Sequence, residues 1–164
     1  MIAITLWQPH ATLIAWGLKP YETRDFTPRW KGRPYRGEIA IHAGTNTTDL
    51  ESLTARTRQL KALGQWPPTE DGFLKTFHMA VNLYLDHHKI DDFRYSDFPL
   101  GAVVATARLH AVYDAAQLHP KLKWPDCDFG DFGQGRYAWA LTDVKALKEP
   151  VPVRGQKGLW EWAQ

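Results

Sequence analysis

Apolar positions recur along this chain with two periods, and the switches between them mark its elements. Ile2 to Leu6 is a short apolar run that predicts a buried strand. Pro9 at a first helical position, Leu13, Ile14 and Trp16 on one side, and Gly17 at the exit predict a short helix. Tyr21 to Asp25 reads as extended, so Glu22 and Arg24 share one face and Tyr21 and Thr23 the other. Two prolines and a glycine make Phe26 to Arg36 a loop. Gly37 to Ala43 alternates, with Ile39, Ile41 and Ala43 on one face and Glu38, Ala40 and His42 on the other.

The period then changes. Thr48 with Glu51 fits a capping box, Leu50, Leu53, Leu60 and Leu63 form one stripe, and Gly64 ends the helix. After Trp66-Pro67-Pro68 a second helix is expected over about Thr69 to His88, with a stripe of Phe73, Leu74, Phe77, Val81, Tyr84, Leu85 and His88. Two-residue alternation returns over Leu100 to Tyr113, where Val103, Ala105, Ala107, Leu109, Ala111 and Tyr113 form the inner face. Tyr137 to Val144 reads as another strand. Pro150 and Pro152 confine Val151 and Val153 to an edge. Leu159, Trp160 and Trp162 are expected to close one end of a barrel. Strands interrupted by two helices predict an α+β fold, a barrel with a helical insertion, in one domain spanning 1–164.

Composition changes this picture in few places. One cysteine, Cys127, excludes an internal disulfide, and with no basic leader segment the expectation is a cytoplasmic protein. No run approaches transmembrane length. Neither a P-loop, a Rossmann glycine pattern, a nucleophile elbow nor a zinc-helix histidine spacing occurs, so no cofactor or metal is expected. The three aspartates of Asp126 to Asp131 lack the glycine and terminal glutamate of a calcium loop. Net charge is only +2, yet Lys19 to Arg36 holds six basic residues against two acids. Such a local patch suits phosphate backbones. Within it Arg29, Lys31, Arg33 and Arg36 interleave with Trp30 and Tyr35, a pairing of cations and stacking faces fit for single-stranded nucleic acid. Lys19, Glu22 and Arg24 would line one polar patch able to read a planar ligand by paired hydrogen bonds. Read alone, that patch is equally a surface ion pair.

Trp7-Gln8-Pro9-His10-Ala11, Gly17-Leu18-Lys19-Pro20-Tyr21-Glu22-Thr23-Arg24 and Tyr35 to Ala43 together resemble the activating signal cointegrator homology (ASCH) domain, a PUA-like β-barrel. Gly101 to Ala107 and Gly155-Gln156-Lys157-Gly158-Leu159-Trp160 extend the likeness over most of the chain. The resemblance implies RNA or a modified nucleotide as ligand, and it places His42 beside Lys19, Glu22 and Arg24 in the cleft. It also implies an enzymatic alternative. Some small ASCH proteins hydrolyse N4-acetylcytidine nucleosides through a lysine matching Lys19 and a threonine three residues on, and others are ribonucleases. Here Glu22 stands at that threonine position, which leaves Lys19 with Glu22 as the candidate acid–base pair. A cointegrator-like module binding an acidic protein partner is the third reading.

Overall fold

The computed structural model describes residues 1–69, 72–91 and 93–163. It is a mixed α+β fold built on a curled, half-barrel sheet of six strands in the order β2-β7-β6-β5-β1-β8. These are β1 (Ile2–Leu6), β2 (Tyr21–Arg24), β5 (Gly37–Ala43), β6 (Ala102–Asp114), β7 (Tyr137–Pro152) and β8 (Leu159–Glu161). All neighbours are antiparallel except β1 and β5, which run parallel from Ile2↔Ile39 to Leu6↔Ala43. A short helix α1 (His10–Ala15) makes the crossover from β1, and its buried Ala11 and Ile14 join Ile4, Leu6, Ile39, Ile41, Ala105, Leu109 and Trp139 in the main core. The opposite face of the sheet carries a smaller core of Ala3, Ala40, Val103, Trp160 and Trp162.

The helices α2 (Thr48–Ala62) and α3 (Gly72–His88) pack their leucine and phenylalanine stripes into a second core. That core includes Leu13 of α1 and Phe129 from the loop before β7. The insertion is thereby fixed against the start of the chain, which places its inner surface over β2. The expected first turn of α3 falls partly on residues 70 and 71, outside the described residues. A short helix α4 (Ala115–Leu118) follows β6, capped by Asp114, whose carboxylate accepts from the Gln117 amide at 3.0 Å.

Five local expectations change. The Phe26 to Arg36 segment contains a two-stranded hairpin, β3 (Arg29–Trp30) and β4 (Arg33–Pro34). Its turn residues Lys31 and Gly32 both have positive φ, 48° and 78°, the conformation that matches the twist of paired strands. The inner face of β6 does not alternate strictly. Register shifts between Val103 and Ala105 send Val103 to the tryptophan core while Val104 joins the main one. Strand β7 continues to Pro152, where only β6 pairs with it, so both prolines sit at an unpaired edge. Leu63 is exposed, and no side-chain cap forms at Thr48; α2 is instead entered through Asn46, whose Oδ1 accepts from the Thr48 amide at 2.8 Å.

Candidate functional site

A cleft of about 760 Å³ opens between β2 and the helical insertion. Lys19, Glu22 and Arg24 line it from β2 and the turn before, Trp7, Pro9 and His10 from the entry to α1. Opposite stand Asp49, Ser52, Leu53 and Arg56 of α2 and Phe73 and Leu74 of α3, with Asp128, Gly130, Asp131 and Arg136 closing the side.

Local sequence sets the polar floor. Gly17, at φ 74°, lets the α1 exit fold back so that the Lys19 amide donates to Leu13 O at 3.2 Å. That directs the Lys19 side chain inward, where only 2 % of the residue remains exposed. Its ammonium donates to the Phe129 carbonyl and lies 3.5 Å from Glu22 Oε2. The other carboxylate oxygen, Oε1, is 2.9 Å from Arg24 Nε, and Arg24 Nη2 donates to Thr5 O at 3.2 Å. Strand alternation puts Glu22 and Arg24 on the same face, against Trp139 and Tyr137 of β7. Thr23 has a structural partner: its hydroxyl accepts from the Asp131 amide at 3.0 Å, and Arg136 Nη2 donates to Thr23 O at 3.2 Å.

The charges here are mutually dependent. Burial pushes the Glu22 carboxyl up, but Lys19 and Arg24 outweigh that and hold it below the usual carboxylate range. Burial pulls the Lys19 ammonium below the ordinary lysine value, and Glu22 opposes the fall. His10 is pushed down to about 4, first by burial and then by the positive charge of Lys19. It therefore stands as a neutral imidazole at pH 7, its ring tilted against Phe73 at 5.7 Å. His10 Nδ1 is buried without a hydrogen-bond partner. The described residues that line the cleft include four cations and four carboxylates, so its formal charge is balanced.

The remaining candidates lie elsewhere. His42 is absent from the cleft lining. It points to the other face of the sheet, edge-on to Trp160 at 5.6 Å, and bonds Val153 O through Nε2 at 2.9 Å. Gly155 lies against its ring so closely that a Cβ there would be 2.4 Å from Cε1. The reason is parity: β5 presents Ile41 and Ala43 to the main core and so must present His42 to the tryptophans. The hairpin residues also stay out of the cleft. Arg29, Lys31, Arg33 and Arg36 are exposed, and none forms an ion pair among the described residues. Lys31 Nζ sits over the Trp30 ring at 5.7 Å, and the Tyr35 hydroxyl donates to Glu38 O.

Most of the cleft's lining carries no functional signal in the sequence, Trp7, His10 and Phe73 among it. Trp7, half exposed at 50 %, and Phe73 supply aromatic wall, and His10 supplies the neutral imidazole. Helical spacing marks Phe73 as core, and His10 stands at a helix start with no periodic signal. Among the described residues no group of three His, Cys, Asp or Glu is placed to hold a metal, and no helix is long and apolar enough to cross a membrane.

The fold is similar to that of an ASCH protein from Zymomonas mobilis, at 16 % identity and a TM-score of 0.49 over 99 % of this chain and 87 % of that one. Two single-residue mutants of that protein match over 99 % of this chain, at TM-scores of 0.48 and 0.47. No family model and no curated protein matches the sequence.

Proposed function

We propose that this protein binds single-stranded RNA or a modified nucleotide, with a base in the cleft and phosphates along the β3–β4 hairpin. One observation carries the reading. Glu22 is held ionised between Lys19 and Arg24 at the floor of a cleft whose volume suits a nucleotide-sized ligand and whose walls include Trp7 and Phe73. A fixed acceptor flanked by cations reads polar edges, and aromatic walls suit a stacked base. The hairpin follows the cleft closely. Only residues 25–28 separate Arg24 from Arg29, so the two Cα atoms are no more than about 18 Å apart. None of its four cations forms an ion pair among the described residues, which leaves their charge available to phosphates.

The test is RNA binding at two salt concentrations. Arg29→Ala with Arg33→Ala should weaken all RNAs alike and flatten the salt dependence. Glu22→Gln should change the preference among bases, since it replaces a pure acceptor by a mixed donor and acceptor. Wild-type protein showing no salt-sensitive RNA binding at micromolar concentration would overturn the reading and leave a small molecule or an acidic protein as the better ligand.

A hydrolytic second reading has one observation in its favour: the buried Lys19 ammonium, its pKa lowered from the ordinary lysine value by burial, lies 3.5 Å from the Glu22 carboxylate in the cleft. Chromatography after incubation with N4-acetylcytidine or a short RNA tests this. Product that persists in the Lys19→Ala, Glu22→Ala double variant excludes the pair as the catalyst.

A further inference from the structure

We infer that His10 is a ligand-contacting residue of the cleft, whose neutral ring donates an Nε2–H hydrogen bond to an uncharged acceptor on the base. This rests on the reading of the cleft as a base-binding site and adds to it the residue that selects for neutral polar ligands.

The geometry leads there by elimination. Both Lys19 and Arg24 are committed within the protein, to Phe129 O and Glu22 and to Thr5 O and Glu22. His10 lines the same cleft, and its Nδ1 has no hydrogen-bond partner among the described residues. Its Nδ1 is enclosed by protein. A proton on Nδ1 would bury an unsatisfied N–H, whereas an unsatisfied lone pair there is the milder defect. The proton therefore belongs on Nε2, the ring's remaining edge toward the cleft. Ring contact with Phe73 holds the imidazole plane. Burial and the nearby cations keep the ring uncharged at neutral pH, so it adds direction without adding charge. Beside Lys19 and Arg24, the polar groups that the β2 side and the α1 entry offer a ligand are an acceptor, Glu22, and a neutral donor, His10. That combination suits a heteroaromatic base with a carbonyl or ring nitrogen beside an N–H. It does not favour a phosphate, for which a neutral donor next to a carboxylate is a poor match.

Calorimetric titration of wild type, His10→Phe and His10→Gln with uridine, cytidine and inorganic phosphate separates the outcomes. Phenylalanine keeps a ring against Phe73 and removes the donor; glutamine keeps a donor. The expected result is nucleoside binding by wild type, a loss of roughly five- to tenfold in His10→Phe, smaller loss in His10→Gln, and no binding of phosphate in the cleft. In ¹⁵N spectra of wild type the Nε2 resonance of His10 should move on addition of nucleoside. Undiminished binding in His10→Phe, with an unmoved Nε2 resonance, overturns this inference and leaves the cleft's function standing. Absence of nucleoside binding by wild type overturns both.

Discussion

The cleft and the hairpin both come from the same basic stretch, Lys19 to Arg36, and they use positive charge in opposite ways. In the cleft Lys19 and Arg24 are spent on Glu22 and on backbone carbonyls. On the hairpin Arg29, Lys31, Arg33 and Arg36 face solvent without a carboxylate partner among the described residues. A count of charges treats the six as equivalent, but their availability differs. Paired buried cations set the protonation and position of a neighbour, and removing their partner leaves a buried charge uncompensated. Free exposed cations contribute little to stability and are available to a polyanion.

The sharpest way to break this contrast is Glu22→Ala. It strands two cations, one of them almost wholly buried, and should cost roughly 3 kcal/mol in urea unfolding. A cost no greater than that of hairpin variants would show the cleft charges to be independent. Acid comes next. The His10 pKa falls from the ordinary 6.5 to about 4 on folding, so the unfolded chain takes up a proton that the folded one refuses. Stability should be complete above pH 6.5, fall as pH drops toward 4, and fall further below the usual carboxylate range as Glu22 is protonated. Melting temperature against pH should lose the upper part of that slope in His10→Phe. Gly32→Ala, at φ 78°, should cost about 1 kcal/mol and act on the hairpin alone, leaving nucleoside binding unchanged. The smallest effect on stability belongs to Arg29→Ala with Arg33→Ala, within about 0.5 kcal/mol of wild type. The same pair should lower the log–log salt slope of single-strand binding by about 1.4.

What sequence made legible was what is local. Alternation over Tyr21 to Arg24 anticipates the Glu22–Arg24 pair, although Thr23, expected on the other face, also lines the cleft; Leu50, Leu53 and Leu60 of α2 and the phenylalanines of α3 marked faces that are buried. Parity also determines His42, because β5 can offer only one face to each core. The resemblance placed it beside Lys19 all the same. The cleft's far wall was hidden for a different reason. Asp49, Arg56 and Phe73 meet β2 only through the packing of the insertion on α1 and Phe129, a contact between segments far apart in sequence. The bulge at Val103 to Ala105 was illegible too, since no glycine or proline within it announces the lost alternation.

The sheet also imposes an order on biosynthesis. Strand β1 lies between β5 and β8, and the Met1 amino group donates to Trp162 O across 161 residues at 2.8 Å. A ribosome releasing the chain from its amino end can let β1, α1 and β5 meet early, but one edge of β1 stays unpaired until Leu159–Glu161 emerge. Through that interval an apolar strand with free amides and carbonyls is open to strand exchange with other nascent copies. A stop before Trp160 would make the interval permanent, and such a product should form aggregates even though the cleft residues are all present.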